Sequence, residues 1–130
     1  MSYLVSNAVE SIQNDEIEYT INKGTTEYIS LTLKDKATGN TYVMGSNEKA
    51  IFGIKRRLDD SVCLVTKQFD VNNFYDGKYT FSLSSSQTNI PQGRYWFDVG
   101  VKLSNGDFVK PIENKLLRIK GNVTSLSDIS

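Results

Sequence analysis

Side chains able to do chemistry are sparse in this 130-residue chain, and histidine, the usual proton carrier near neutral pH, is missing altogether. Its absence excludes most catalytic triads and the HExxH type of metal site. Cys63 is the single cysteine, so neither an intrachain disulfide nor a multi-thiolate zinc cluster can form. Lying between Val62 and Leu64 with no imidazole to activate it, Cys63 reads as a small apolar packing residue. Ser84 to Ser86 lack the Gly-x-Ser-x-Gly elbow of a nucleophile, and no glycine-rich phosphate loop occurs. The carboxylates of Asp59-Asp60 and of Asp15, Glu16 and Glu18 lack the alternating oxygen pattern of a calcium loop and read as solvated turn charges. Lys55-Arg56-Arg57 is followed at once by two aspartates, which neutralise it. The reading is a protein that binds, not an enzyme, with no metal and no cofactor.

Two sets of residues have the chemistry of recognition. Trp96 falls on the opposite side from Tyr95 and Phe97 under strict strand alternation, alongside Asp98, Gly100 and Lys102, where an indole would anchor an interface or be capped by a loop. Phe69, Phe74 and Tyr75 stand among Asp70, Asn72, Asn73 and Asp76, an aromatic and amide mixture suited to a sugar, with Phe74 and Tyr75 as the contacts. The competing reading has these aromatics plug the open end of the fold while the polar residues cap turns.

Lys+Arg and Asp+Glu both number 15, so the formal net charge is zero and no overall basic field attracts nucleic acid or an anionic membrane. No run approaches the roughly 18 apolar residues of a membrane span, and no basic-then-apolar leader is visible. The expectation is a protein assembled in the cytosol, neither inserted nor exported.

These residues must be positioned by strands. Period-two alternation begins at Ile17, Tyr19 and Ile21, is clearest at Ile29, Leu31 and Leu33, and recurs at Ala50, Phe52 and Ile54. Thr41-Tyr42-Val43 reads as a short strand, and Val62-Cys63-Leu64-Val65 as an apolar run buried on both faces. After the Asp76-Gly77 turn come Tyr79, Phe81 and Leu83, then Tyr95, Phe97, Val99, Val101 and Leu103 of a central strand. Asn105-Gly106 is a hairpin signal, and the strand region from Asp107 to Lys120 is expected to break near Pro111. About seven short strands predict an all-β, immunoglobulin-like antiparallel sandwich over 17–120, preceded by an arm (1–16) and followed by a flexible tail (121–130).

The segments Ile21-Asn22-Lys23-Gly24-Thr25, Ile29-Ser30-Leu31-Thr32-Leu33 and Ala50-Ile51-Phe52-Gly53-Ile54-Lys55 carry a further pattern. So do Gly77 to Leu83, Ile90 to Val99 and Ser104 to Asp107. Over approximately residues 17–120 the chain resembles the immunoglobulin-like N-terminal domains of tailed-phage upper baseplate proteins and related small structural proteins. The resemblance implies a virion component of the baseplate, tail, or head fibre or decoration, assembled in the host cytoplasm, that docks on other virion proteins or on copies of itself. Tyr3, Leu4, Val5, Val9 and Ile12, apolar and without an assigned strand, would supply anchoring contacts together with Trp96. The alternative is a carbohydrate-binding module that recognises a host-surface glycan through the aromatic loop.

Overall fold

A computed structural model describes residues 10–12, 18–35 and 38–121. Its strands are β1 (Glu10–Ile12), β2 (Glu18–Asn22), β3 (Glu27–Leu33), β4 (Lys49–Lys55), β5 (Val65–Phe69), β6 (Phe74–Tyr75), β7 (Lys78–Leu83), β8 (Gly93–Lys102) and β9 (Phe108–Lys120). Two sheets form, one ordered β1-β3-β7-β6 and the other β2-β9-β8-β4-β5. The first has the A-B-E-D order of an immunoglobulin domain, and β4, β8 and β9 are its C, F and G strands. β5 extends the second sheet beyond β4, and β2 runs parallel to β9 at its other edge.

Alternation fills the space between the sheets. Ile29, Leu31 and Leu33 of β3, Tyr79, Phe81 and Leu83 of β7, and Tyr95, Phe97, Val99 and Val101 of β8 are all buried there. Ala50, Phe52 and Ile54 of β4 meet them from the second sheet. The Asp76-Gly77 turn has positive φ at both residues (52° and 81°), the geometry of a tight two-residue hairpin. Entry to β8 is locked by the Tyr95 hydroxyl, which donates to the Pro91 carbonyl at 2.5 Å, the corner contact typical of this class of sandwich.

Several expectations are corrected. Val62 to Leu64 is not a buried strand: Val62 is 75% exposed, Leu64 is exposed, and β5 begins only at Val65. Hydrophobicity alone cannot separate a doubly buried strand from an apolar loop. Thr41-Tyr42-Val43 forms no strand, only an isolated bridge from Thr41 to Lys34. β9 runs unbroken through Pro111, because the register against β8 shifts on either side of Val99. Lys110-Pro111 and Glu113-Asn114 are the extra residues, opposite Gly100 and Asp98, and a bulge spares Pro111 the ladder hydrogen bond it cannot donate. Glu10–Ile12, which fall within the expected arm and carry no alternation that predicts a strand, pair with Leu31 to Leu33 as an edge strand.

The long β3–β4 connection is held by two buried polar groups. Glu48, only 6% exposed, accepts from the Tyr42 hydroxyl (2.6 Å), the Gly45 N–H (2.9 Å) and the Ser104 N–H (3.2 Å). The Tyr79 hydroxyl donates to the Tyr42 carbonyl (2.8 Å) and accepts from the Met44 N–H (2.7 Å). Burial pushes the Tyr79 phenol up to about 12, the Met44 hydrogen bond opposes this, and the Glu48 carboxylate adds to it. The unfolded chain therefore loses this proton first. The stability that Tyr79 contributes is complete below pH 10 and disappears as pH rises from 10 through about 12. Tyr79→Phe is expected to cost about 1–3 kcal/mol at pH 7, by orphaning the Met44 N–H, and to flatten the alkaline decline, as read from urea unfolding at pH 7 and pH 11.

Candidate protein interface

The outer face of the five-stranded sheet is where side chains depart from what packing requires. On β8 the residues turned away from the core are Arg94, Trp96, Asp98, Gly100 and Lys102, and each meets a neighbour in register on β4, β9 or both. Trp96 lies between Leu116 of β9 and Lys55 of β4, and both Trp96 and Leu116 are partly exposed. The half-buried Ile51 is opposite Gly100, two same-face positions further along, with Asp98 and Gly53 between.

Gly53 and Gly100 leave two depressions in this face, and each is filled by a side chain from elsewhere. Cys63, in the β4–β5 connection, seats its thiol over Gly53, and the Phe108 ring lies over Gly100 with 57% of the residue exposed. A Cβ at either glycine would collide with its occupant. Leu58, Val62 and Leu64, in the connection that carries Cys63, add exposed apolar surface.

At the centre of the face Asp98 is sunk between two lysines. Lys55 Nζ is 3.2 Å and Lys110 Nζ 3.7 Å from Oδ2, while Oδ1 accepts the Asn114 N–H at 2.6 Å. Lys55 and Asp98 retain only 10% and 12% side-chain exposure. Asn114 has φ 53°, so the carboxylate holds the bulge in its left-handed conformation. Burial, chiefly, and then the Asp98 charge push the Cys63 thiol up, while Lys55 and Lys110 pull it down. The thiol is thus a filler of the Gly53 depression and not an activated nucleophile.

Arg94 of β8 directly faces Arg118 of β9, and Lys102 faces Lys49 of β4, so like charges are paired across the ladder at both ends of the face. Lys49 leans toward Asp70 at 3.7 Å. The four-stranded sheet is different: Ser30 and Thr80 share a hydroxyl hydrogen bond (2.9 Å) on an outer surface that continues through Thr32 and Ser82. Composition averages out this segregation of charge, which only the register reveals.

Of the residues singled out in the sequence, Trp96 lies on the face as expected, whereas Tyr3, Leu4, Val5 and Val9 fall outside the described residues. Ile12 belongs to β1 in the other sheet. The aromatic loop set is divided: Phe69 is core, stacked on Phe81 at 4.8 Å, and Phe74 packs on Tyr79 at 4.9 Å. Only Tyr75, 82% exposed, projects. Asp70 and Asn73 close a reciprocal cap around the turn Val71–Asn73, and Asn73 also donates to the Thr80 carbonyl. The basic triplet is dispersed as well: Arg56 stacks over the Tyr95 ring at 4.7 Å, and the Arg57 N–H donates to Asp60. Sequence reasoning missed Leu116, Phe108, Ile51 and the Asp98 cluster, whose common face depends on two bulges. A cleft of about 530 Å³ near Asp35, Tyr42, Glu48 and Ser104 is set apart from them, and its Glu48 carboxylate is committed to the connection.

No protein-family model matches the chain, and neither does any curated protein sequence. Among solved structures, murine CRIg is similar at 9% identity and a TM-score of 0.40, over 87% of this chain and 98% of that one.

Asp98→Ala strands the buried Lys55 ammonium and frees the bulge, and is expected to cost about 3–5 kcal/mol. Combining it with Lys55→Met should recover most of that loss, as measured by chemical denaturation. Cys63 should react slowly with a thiol reagent near pH 7, and faster in Asp98→Ala.

Proposed function

We propose that this chain is a protein-docking module of a virion, placed in the baseplate, tail or head decoration, which seats the outer face of its five-stranded sheet on another structural protein. The observation that carries the docking reading is the apolar strip of Leu116, Trp96, Ile51 and Phe108, left on the solvent side of a sheet whose inner side already supplies the core. Partly exposed aromatics beside a buried, hydrogen-bonded ion pair have the composition of an interface centre. The strip is rigid, since β8 is hydrogen-bonded on both sides, so little conformational entropy is lost when a partner covers it. The likeness of residues 17–120 to phage structural domains supports the virion setting, and the exposed apolar connection through Leu58, Val62 and Leu64 enlarges the patch. The function is binding, with the sandwich as scaffold and no catalytic step.

A Trp96→Ala chain should fold with a near-native melting temperature yet enter particles at least about tenfold less efficiently, since an aromatic anchor at an interface centre contributes about 2 kcal/mol or more. A cryo-EM map of the particle should show this face covered. Unchanged incorporation together with a solvent-facing Trp96 would remove the proposal.

A further inference from the structure

We infer that the cleft between the β3–β4 connection and the β8–β9 turn binds a neutral saccharide through its hydroxyl groups. This binding activity is separate from docking, because none of the apolar residues of the docking strip lines the cleft. Its volume of about 530 Å³ is that of a small-molecule site.

The floor of the cleft is acidic and held in place. Asp35 and Glu48 line it at 3% and 6% exposure, and among the described residues no lysine or arginine does. Glu48 Oε1 is filled by the Tyr42 hydroxyl and the Gly45 N–H, while Oε2 takes only the Ser104 N–H, so one acceptor site of the carboxylate stays open. These bonds fix the carboxylate before a ligand arrives, which reduces the ordering cost of binding. The rim is the reverse, because its polar groups are not engaged. Asn40, Thr41, Asn47 and Ser104 are exposed, and their side chains make no hydrogen bond with the described residues. Elsewhere in the connections such groups hold their own loop: Asn73 Oδ1 accepts the Asp70 N–H, Asn105 Oδ1 the Asp107 N–H, and the Ser84 hydroxyl the Gln87 N–H. Val43, 52% exposed, adds an apolar wall.

This lining selects among ligands. An anion would meet carboxylates with no cation in the lining to offset them. An apolar molecule would strip water from Glu48 and the rim without replacing the lost hydrogen bonds. A calcium ion would compete with the three donors that already hold Glu48. An ammonium group only donates, and leaves the amide N–H groups of Asn40 and Asn47 unanswered. A hydroxyl both donates and accepts, so adjacent hydroxyls of a sugar can pair with the carboxamides, the rim hydroxyls and the open Glu48 acceptor together. The Val43 side chain then faces the C–H groups of the ring.

The test titrates the isotope-labelled full chain with neutral saccharides built from glucose, galactose, mannose and N-acetylglucosamine, as single sugars and as linear trisaccharides, and follows backbone amide shifts by NMR. At least one of them is expected to move the amides of Asn40, Thr41, Asn47 and Ser104 and to leave that of Tyr75 in place. Asn40→Ala and Asn47→Ala remove no internal hydrogen bond, so each should weaken binding about tenfold at an unchanged melting temperature. Glucuronic acid, spermidine and calcium chloride should each move the same amides less, and Trp96→Ala should bind the sugar normally. Silence across the neutral panel, shifts confined to the hairpin around Tyr75, full affinity in both asparagine variants, or a stronger response to glucuronic acid, spermidine or calcium would overturn the inference. Sugar binding and particle entry are read on different residues, so the loss of either reading leaves the other intact.

Discussion

The two sheets are not joined by a disulfide, and their apposition depends on a file of aromatic rings that crosses between them. Phe97 of β8 packs on Phe52 of β4 at 5.3 Å, Phe52 on Phe81 of β7 at 5.2 Å, and Phe81 on Phe69 of β5 at 4.8 Å. Tyr79 and Phe74 continue the file toward the β6–β7 hairpin. Antibody domains fill the same layer with a disulfide and a tryptophan. Here each ring pair adds about 0.5–1.5 kcal/mol beyond its area burial, and the strand positions that supply rings cannot serve anything else. Function is therefore confined to outward positions and connections.

Buried polar groups settle what the rings leave undetermined. An aromatic layer fixes the distance between sheets but does little to place a long connection or pin a bulge. Glu48 and Tyr79 tie the β3–β4 connection to the β8–β9 turn and to β7, and Asp98 ties the β9 bulge to β4. Each group has its hydrogen-bonding capacity largely filled, which is the condition under which burying it is tolerable. The Lys55–Asp98 pair serves placement more than stability, since desolvation offsets much of its attraction.

Much of this architecture could be read from residue order. Alternation at Ile29-Leu31-Leu33 and at Tyr95 to Val101 located the inner faces, and Asp76-Gly77 and Asn105-Gly106 located turns. The same alternation placed Trp96 outward. Failures arose where period two carries no information. Val62-Cys63-Leu64 is apolar without being core, Pro111 is accommodated by a bulge that only pairing with β8 exposes, and Glu48 gives no sign of burial in its sequence neighbourhood. The outer face around Trp96 was partly hidden for a related reason. Leu116, Trp96 and Lys55 come from three strands, and two register shifts decide which residues of β9 share their side. A net charge of zero concealed the register of Arg94 with Arg118 and of Lys102 with Lys49 in the same way.

The glycine seats separate stiffness from relief. Strands β4 and β8 are bare at Gly53 and Gly100, so the contour presented there is moulded by Cys63 and Phe108, which arrive from a loop and from the start of the neighbouring strand. Exchanging those two side chains would resculpt the surface while every rung of the ladder stays in place. A scaffold organised this way can diverge toward new neighbours without renegotiating its own folding.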